Sequence, residues 1–175
     1  MRALSADRLQ KFGFEFMPFA ILRTRVMLSM TPLIDGWALP ANTDELLSQG
    51  KTLPIPTMIG STKNDIMVKN PGVKNREKNK VHTSSVEWCK IKNRQGNPAY
   101  AYYFSHRLPG DELGAFHSSE LWYMFGTLSR CWRPMTEEDY ALSERMLDAW
   151  VSFIKTGNPG WEACTEENPY VEEFC

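Results

Sequence analysis

With 175 residues, 42% of them hydrophobic and 23% charged, the chain has the composition of an ordinary globular domain or of a piece of a larger one. A net charge of −1 and a pI near 6.3 provide no global attraction to nucleic acid or to an anionic membrane. No apolar run approaches the roughly 20 residues that a membrane span needs.

MRALSADRLQ (1–10) carries Arg2, Asp7 and Arg8 ahead of any apolar run, unlike a signal peptide. It reads as the start of a short helix with Ser5 as N-cap. Residues 11–30 contain Pro18 and three basic residues and keep no clean period of 2 or 3.6, so they receive no assignment. TPLIDGWALP (31–40) reads as an extended loop with an Asp35-Gly36 turn. NTDELLSQ (42–49) predicts a short helix capped by Asn42 or Thr43 and closed by Gly50. Pro54 introduces a short buried strand over Ile55–Ile59, and Gly60 ends it. From Lys69 to Lys80 the chain turns basic and Asn-rich. It has no aromatic residue on which bases could stack, so a solvated loop is expected there rather than a nucleic-acid patch.

SSVEWCKIKNRQ (84–95) predicts a helix capped by Ser84 or Ser85, with basic residues toward its C-terminal end. AYAYYF (99–104) has the strongest strand pattern, aromatic and bounded by turn residues. The clearest helix runs from Glu137 to about Thr156. Thr136 and Asp139 approximate a capping box, and Leu142, Met146, Ala149, Trp150 and Phe153 recur at steps of three and four. Gly157 suits the left-handed cap before Pro159. Alternating strands and helices argue for an α/β class.

Cys89, Cys131, Cys164 and Cys175 form neither a CxxC pair nor a short His/Cys cluster, so a metal site is disfavoured. Free or partly buried thiols in a reducing, cytoplasmic compartment are the expectation. The chemistry then rests on three histidines. His82 follows the basic loop with nothing around it, and His106 reads as a solvated strand end. His117 lies in GDELGAFHSSELWYMFG, where Gly114 and Ala115 let the backbone turn before a helix-like stretch. A base of the α/β-hydrolase type belongs on such a loop. His117 and Glu120 also have the spacing of two ligands on one helical face. Asp65, in MIGSTKNDI, stands just beyond a predicted strand, where an orienting carboxylate would sit; local pattern alone favours an ordinary loop Asp.

TPLIDGWALP, IPTMIGSTKNDI, NPAYAYYFSHRLPGDELGAFHSSELWYMFG and MLDAWVSFIKTGNPGW follow one another in the order found in type-B carboxylesterases, the family of para-nitrobenzyl esterases and cholinesterases. The resemblance extends from Thr31 to about Phe174, and MRALSADRLQ is similar to the helix that follows the nucleophile in that family. It implies that residues 1–175 are the C-terminal part of a partial α/β-hydrolase fold, with a mostly parallel sheet and packed helices. It further implies that His117 matches the catalytic base, that Asp65 stands where the family has a Glu as the acid, and that no cofactor is used. The substrate implied is a small-molecule carboxylic ester.

Several features depart from the family pattern. No Ser has Gly at both flanking second positions, and no Gly-Gly pair exists from which an oxyanion loop could be built. The stretch between Asp65 and AYAYYF is short, and residues 11–30 match poorly. The chain is therefore expected to lack the nucleophile and to be inactive alone. The rival readings are a non-catalytic protein-interaction module and the product of a damaged gene.

Overall fold

The computed structural model describes residues 4–24, 34–65 and 76–175. The chain divides into two compact units, Met1–Glu45 and Leu46–Cys175.

In the first unit, helix α1 (Ala6–Thr24) starts where Ser5 predicts, with Ser5 Oγ accepting from Arg8 N at 3.4 Å. It is 19 residues long rather than short, and runs through Pro18 into the stretch that periodicity left unassigned. The reason is visible in its contacts. Phe12 stacks on Phe16 with centroids 5.7 Å apart, and Lys11 lies 4.0 Å from Glu15. Such i,i+4 pairs support a helix without concentrating apolar residues on one face. Asp35 closes the predicted turn by accepting from the amides of Trp37, Ala38 and Leu39 at 2.8–3.0 Å. Those backbone donors hold its carboxyl below the usual range.

Helix α2 (Thr43–Ser48) bridges the boundary, and Asn42 Oδ1 caps it by accepting from Glu45 N at 2.8 Å. The second unit is built on a parallel sheet of order β1-β2-β3, from β1 (Thr57–Thr62), β2 (Ala99–Phe104) and β3 (Val171–Phe174). β1 begins two residues later than Ile55 because Pro54 and Pro56 have no N–H to donate to a ladder. It continues past Gly60 to Thr62, and Lys63 N still reaches Phe104 O at 2.9 Å. The strand β3 was not expected.

Helix α3 (Lys80–Arg94) crosses from β1 to β2 and starts four residues before the predicted Ser84. Its cap is Asn79, whose Oδ1 accepts from Val81 N and His82 N while its Nδ2 donates to Thr62 O at 3.0 Å. Ser85 is inside the helix, bonding back to Val81 O. Of the expected basic loop, residues 69–75 fall outside the described residues, and Arg76–Lys78 form a 3-10 turn. His82 is not isolated: it is buried in α3 with its ring edge-on to Tyr103 at 4.9 Å.

A short helix α4 (Leu121–Met124) precedes α5 (Glu137–Thr156), which has the predicted bounds, the Thr136/Asp139 capping box and a left-handed Gly157. The alternation along β2 separates two cores. Ala99 and Ala101 pack with Cys89 of α3 and Cys164 on one face. Tyr102 and Phe104 pack with the cluster formed by α4, α5 and Phe174 on the other, where Tyr102 lies edge-on to Trp150 at 5.0 Å. Successive strand residues point to opposite faces, so Ala99, Ala101 and Tyr103 face α3, with Tyr103 against His82, while Tyr102 and Phe104 face the other side. The close approach needs Gly60: a Cβ there would sit 2.4 Å from Cγ of its register partner Tyr102.

Candidate active site

Because β1 and β2 are adjacent and parallel, the loops that follow them leave from one edge of the sheet. Asp65 lies three residues beyond β1 and His117 thirteen beyond β2. The structure brings these two together: His117 Nδ1 lies 2.6 Å from Asp65 Oδ1. The Asp65 side chain is nearly buried at 7% exposure, whereas that of His117 is 55% exposed. A carboxylate on Nδ1 favours the tautomer with the proton there and leaves Nε2 as the basic nitrogen on an open face. The second carboxylate oxygen, Oδ2, accepts from Thr62 N at 3.2 Å.

The loop carrying His117 is tethered along its length. Arg133, almost fully buried, donates to Pro109 O at 2.7 Å and to Asp111 at 2.6 Å, and its guanidinium lies over the rings of Phe116 and Trp132. The Arg133 hydrogen bond holds the Asp111 carboxyl below its ordinary range. Asn64 forms a bridge to Phe116 and exchanges hydrogen bonds with Ala115. His117 then enters a turn closed by Ser119 N on Phe116 O at 3.0 Å, with Ser118 in the left-handed region at φ 66°.

Glu120, the alternative acid, is not the partner of Nδ1. Burial pushes its carboxyl up, its own backbone N–H opposes this, and the Asp65 carboxylate pushes it up further against His117. Its Oε2 has no hydrogen-bond partner among the described residues. His106, expected as a solvated strand end, is instead mostly buried and lies 2.8 Å from Asp139. Tyr123 OH donates to the same Oδ1 at 2.6 Å, and the Thr136 amide and hydroxyl donate to Oδ2. The capping-box reading of Thr136 and Asp139 identified half of this network; nothing local in the sequence ties His106 to it across 33 residues. Among the described residues no group of three His, Cys, Asp or Glu is placed to hold a metal ion, and no helix is long and apolar enough to cross a membrane.

Residues 80–173 match the model of the Carboxylesterase family, which is more than half of the chain. The chain belongs to the carboxylesterase family. It is 28% identical over 100 residues to carboxylesterase 4A of Bos taurus, covering 51% of this chain and 18% of that protein. Over 94 residues it is 33% identical to the bile salt-activated lipase of Homo sapiens, covering 46% of this chain and 12% of that one. The coordinates superpose on a thermophilic PNB esterase with a TM-score of 0.73 at 21% identity, covering 98% of this chain and 45% of that one. This carboxylesterase-family chain thus has part of an α/β-hydrolase fold and spans less than a fifth of the length of those curated relatives. His117 lies inside the matched region and Asp65 before it.

Proposed function

We propose that residues 1–175 form the C-terminal part of a carboxylesterase α/β-hydrolase domain and supply the base and the orienting acid of a serine ester hydrolase. The observation that supports this is the 2.6 Å contact between His117 Nδ1 and a nearly buried Asp65, with the ring otherwise accessible. In this chemistry a serine hydroxyl attacks the carbonyl of a small carboxylic ester. His117 Nε2 takes the serine proton and returns it to the departing alkoxide, while Asp65 orients the ring and stabilises the imidazolium. Backbone donors for the oxyanion, often the largest single contribution, have no counterpart motif in these 175 residues, nor does the nucleophile elbow.

The purified chain is therefore expected to turn over no chromogenic short-chain ester and to take no fluorophosphonate label. Fused behind the N-terminal part of a para-nitrobenzyl esterase, it should gain turnover. Replacing His117 by Ala in that fusion should then lower kcat by roughly 10⁴–10⁶, and Asp65→Ala by somewhat less. Turnover and covalent labelling of one serine in the chain alone would overturn the reading, as would a fusion whose activity is indifferent to His117.

A further inference from the structure

Asp65 and His117 are 52 residues apart in sequence, and twelve residues of loop intervene between β2 and His117. A 2.6 Å contact between them depends on what holds one loop against the other. The Arg133 contacts anchor the loop near Pro109 and Asp111, several residues upstream. Next to the pair, the tether comes from Asn64. Its backbone N–H donates to Ala115 O at 2.8 Å, and its Oδ1 accepts from Ala115 N at 3.0 Å. Ala115 is 1% exposed, so water has no access to replace that acceptor. Gly114 completes the fit: its φ is +69°, and a Cβ there would lie 2.4 Å from Asn64 Oδ1. The Asn64 side chain fills the space that any other residue at 114 would claim.

We propose that Asn64 is a positioning residue for the Asp65–His117 pair, clamping the histidine loop to the acid loop through Ala115. This rests on the pair being the working base and acid. Asn64 acts by setting where the next residue, Asp65, meets a ring two residues beyond Ala115. The clamp requires an acceptor at the reach of a side-chain carbonyl on Cγ, which Asp also supplies and Ala does not.

The test uses the 175-residue chain labelled with ¹⁵N in its histidine rings. With three histidines, a His117→Gln spectrum identifies the His117 signals. At a pH where the ring is neutral, the intact chain should carry the His117 proton on Nδ1, and Asp65→Ala should move it to Nε2, as in a free imidazole side chain. Asn64→Ala should likewise shift the proton to Nε2, and Asn64→Asp should restore it to Nδ1. If the intact chain already has the proton on Nε2, the pair itself is wrong. A proton that stays on Nδ1 in folded Asn64→Ala overturns the clamp and leaves the pair standing; so does a folded Asn64→Asp that fails to restore it. Where Asn64→Ala does not fold, hydrogen exchange in the unaltered chain decides. Protection of the Asn64 and Ala115 amides comparable to that of β2 supports the clamp. Rapid exchange there beside a protected β2 overturns it.

Discussion

Ser118 takes φ 66° directly after His117, a conformation that costs an L-residue with a Cβ roughly 1–2 kcal/mol. Strain of this kind persists where surrounding contacts over-determine the backbone, here the Ser119–Phe116 hydrogen bond and the Asn64 bridge on either side of the imidazole. Ser118→Gly should therefore raise stability, by about 0.5–1 kcal/mol once glycine's greater unfolded freedom is counted. A thermal melt showing the variant less stable than the parent would contradict this. His117 and Asp65 were legible as candidates because each stands after a strand in a recognisable motif. Asn64 and Arg133 were not, because their value lies in partners 51 and 24 residues away, which no local spacing encodes.

Helix α5 was readable to the residue because its information is local: an N-cap, a steady apolar stripe and a left-handed glycine. α1 and the start of α3 were not. The first exposes Phe12, Phe14 and Phe16 and so lacks a stripe, and the second is capped by an Asn that the basic composition around it disguised. The N-terminus of α5 also carries a pH dependence. Burial raises the Asp139 carboxyl, but hydrogen bonds from Tyr123, the Thr136 amide, His106 and the Thr136 hydroxyl outweigh it and hold the pKa at about 2. A folded value below the unfolded one means that the stabilisation is complete above the ordinary value of 3.8 and is lost as pH falls through about 2. The amount is of order 2 kcal/mol. Between pH 4 and 2 the parent should lose stability that Asp139→Asn, already weaker at neutral pH, has no carboxylate to lose. Urea midpoints across that window test it, and parallel acid limbs for the two proteins would count against the assignment. Tyr123→Phe, which removes one donor, should move the parent's limb toward higher pH.

At the scale of the molecule, the two faces of the sheet are packed differently, two alanines and Tyr103 under α3 and a larger cluster of aromatic rings under α5. The crossing point is the contact of Gly60 with the Tyr102 ring, itself lodged against Trp150 and Phe174. Gly60→Ala drives a methyl into the base of that ring, which has no room to swing aside, and should cost about 1–3 kcal/mol. A Tm unchanged from the parent's would show that the ring is free to move. That the fold is α/β was legible from the alternation of strands and helices and from AYAYYF. β3 is not legible because its four residues, Val-Glu-Glu-Phe, set two adjacent acids between two apolar anchors and show no alternation.

β1 stands at one side of the three-stranded order, with β2 on its inner flank. Thr57 N and Lys63 N both reach toward β2, so by the two-residue alternation of a strand the backbone groups of Thr62 face away from it. Both are already engaged, the N–H by Asp65 Oδ2 and the C=O by Asn79 Nδ2. Any polypeptide that zips onto this flank consequently runs out of partners at Gly60, since the next outward-facing rung is occupied by the acid and by the helix cap. The carboxylate that faces the imidazole with one oxygen is, with the other, the stop at the end of the seam.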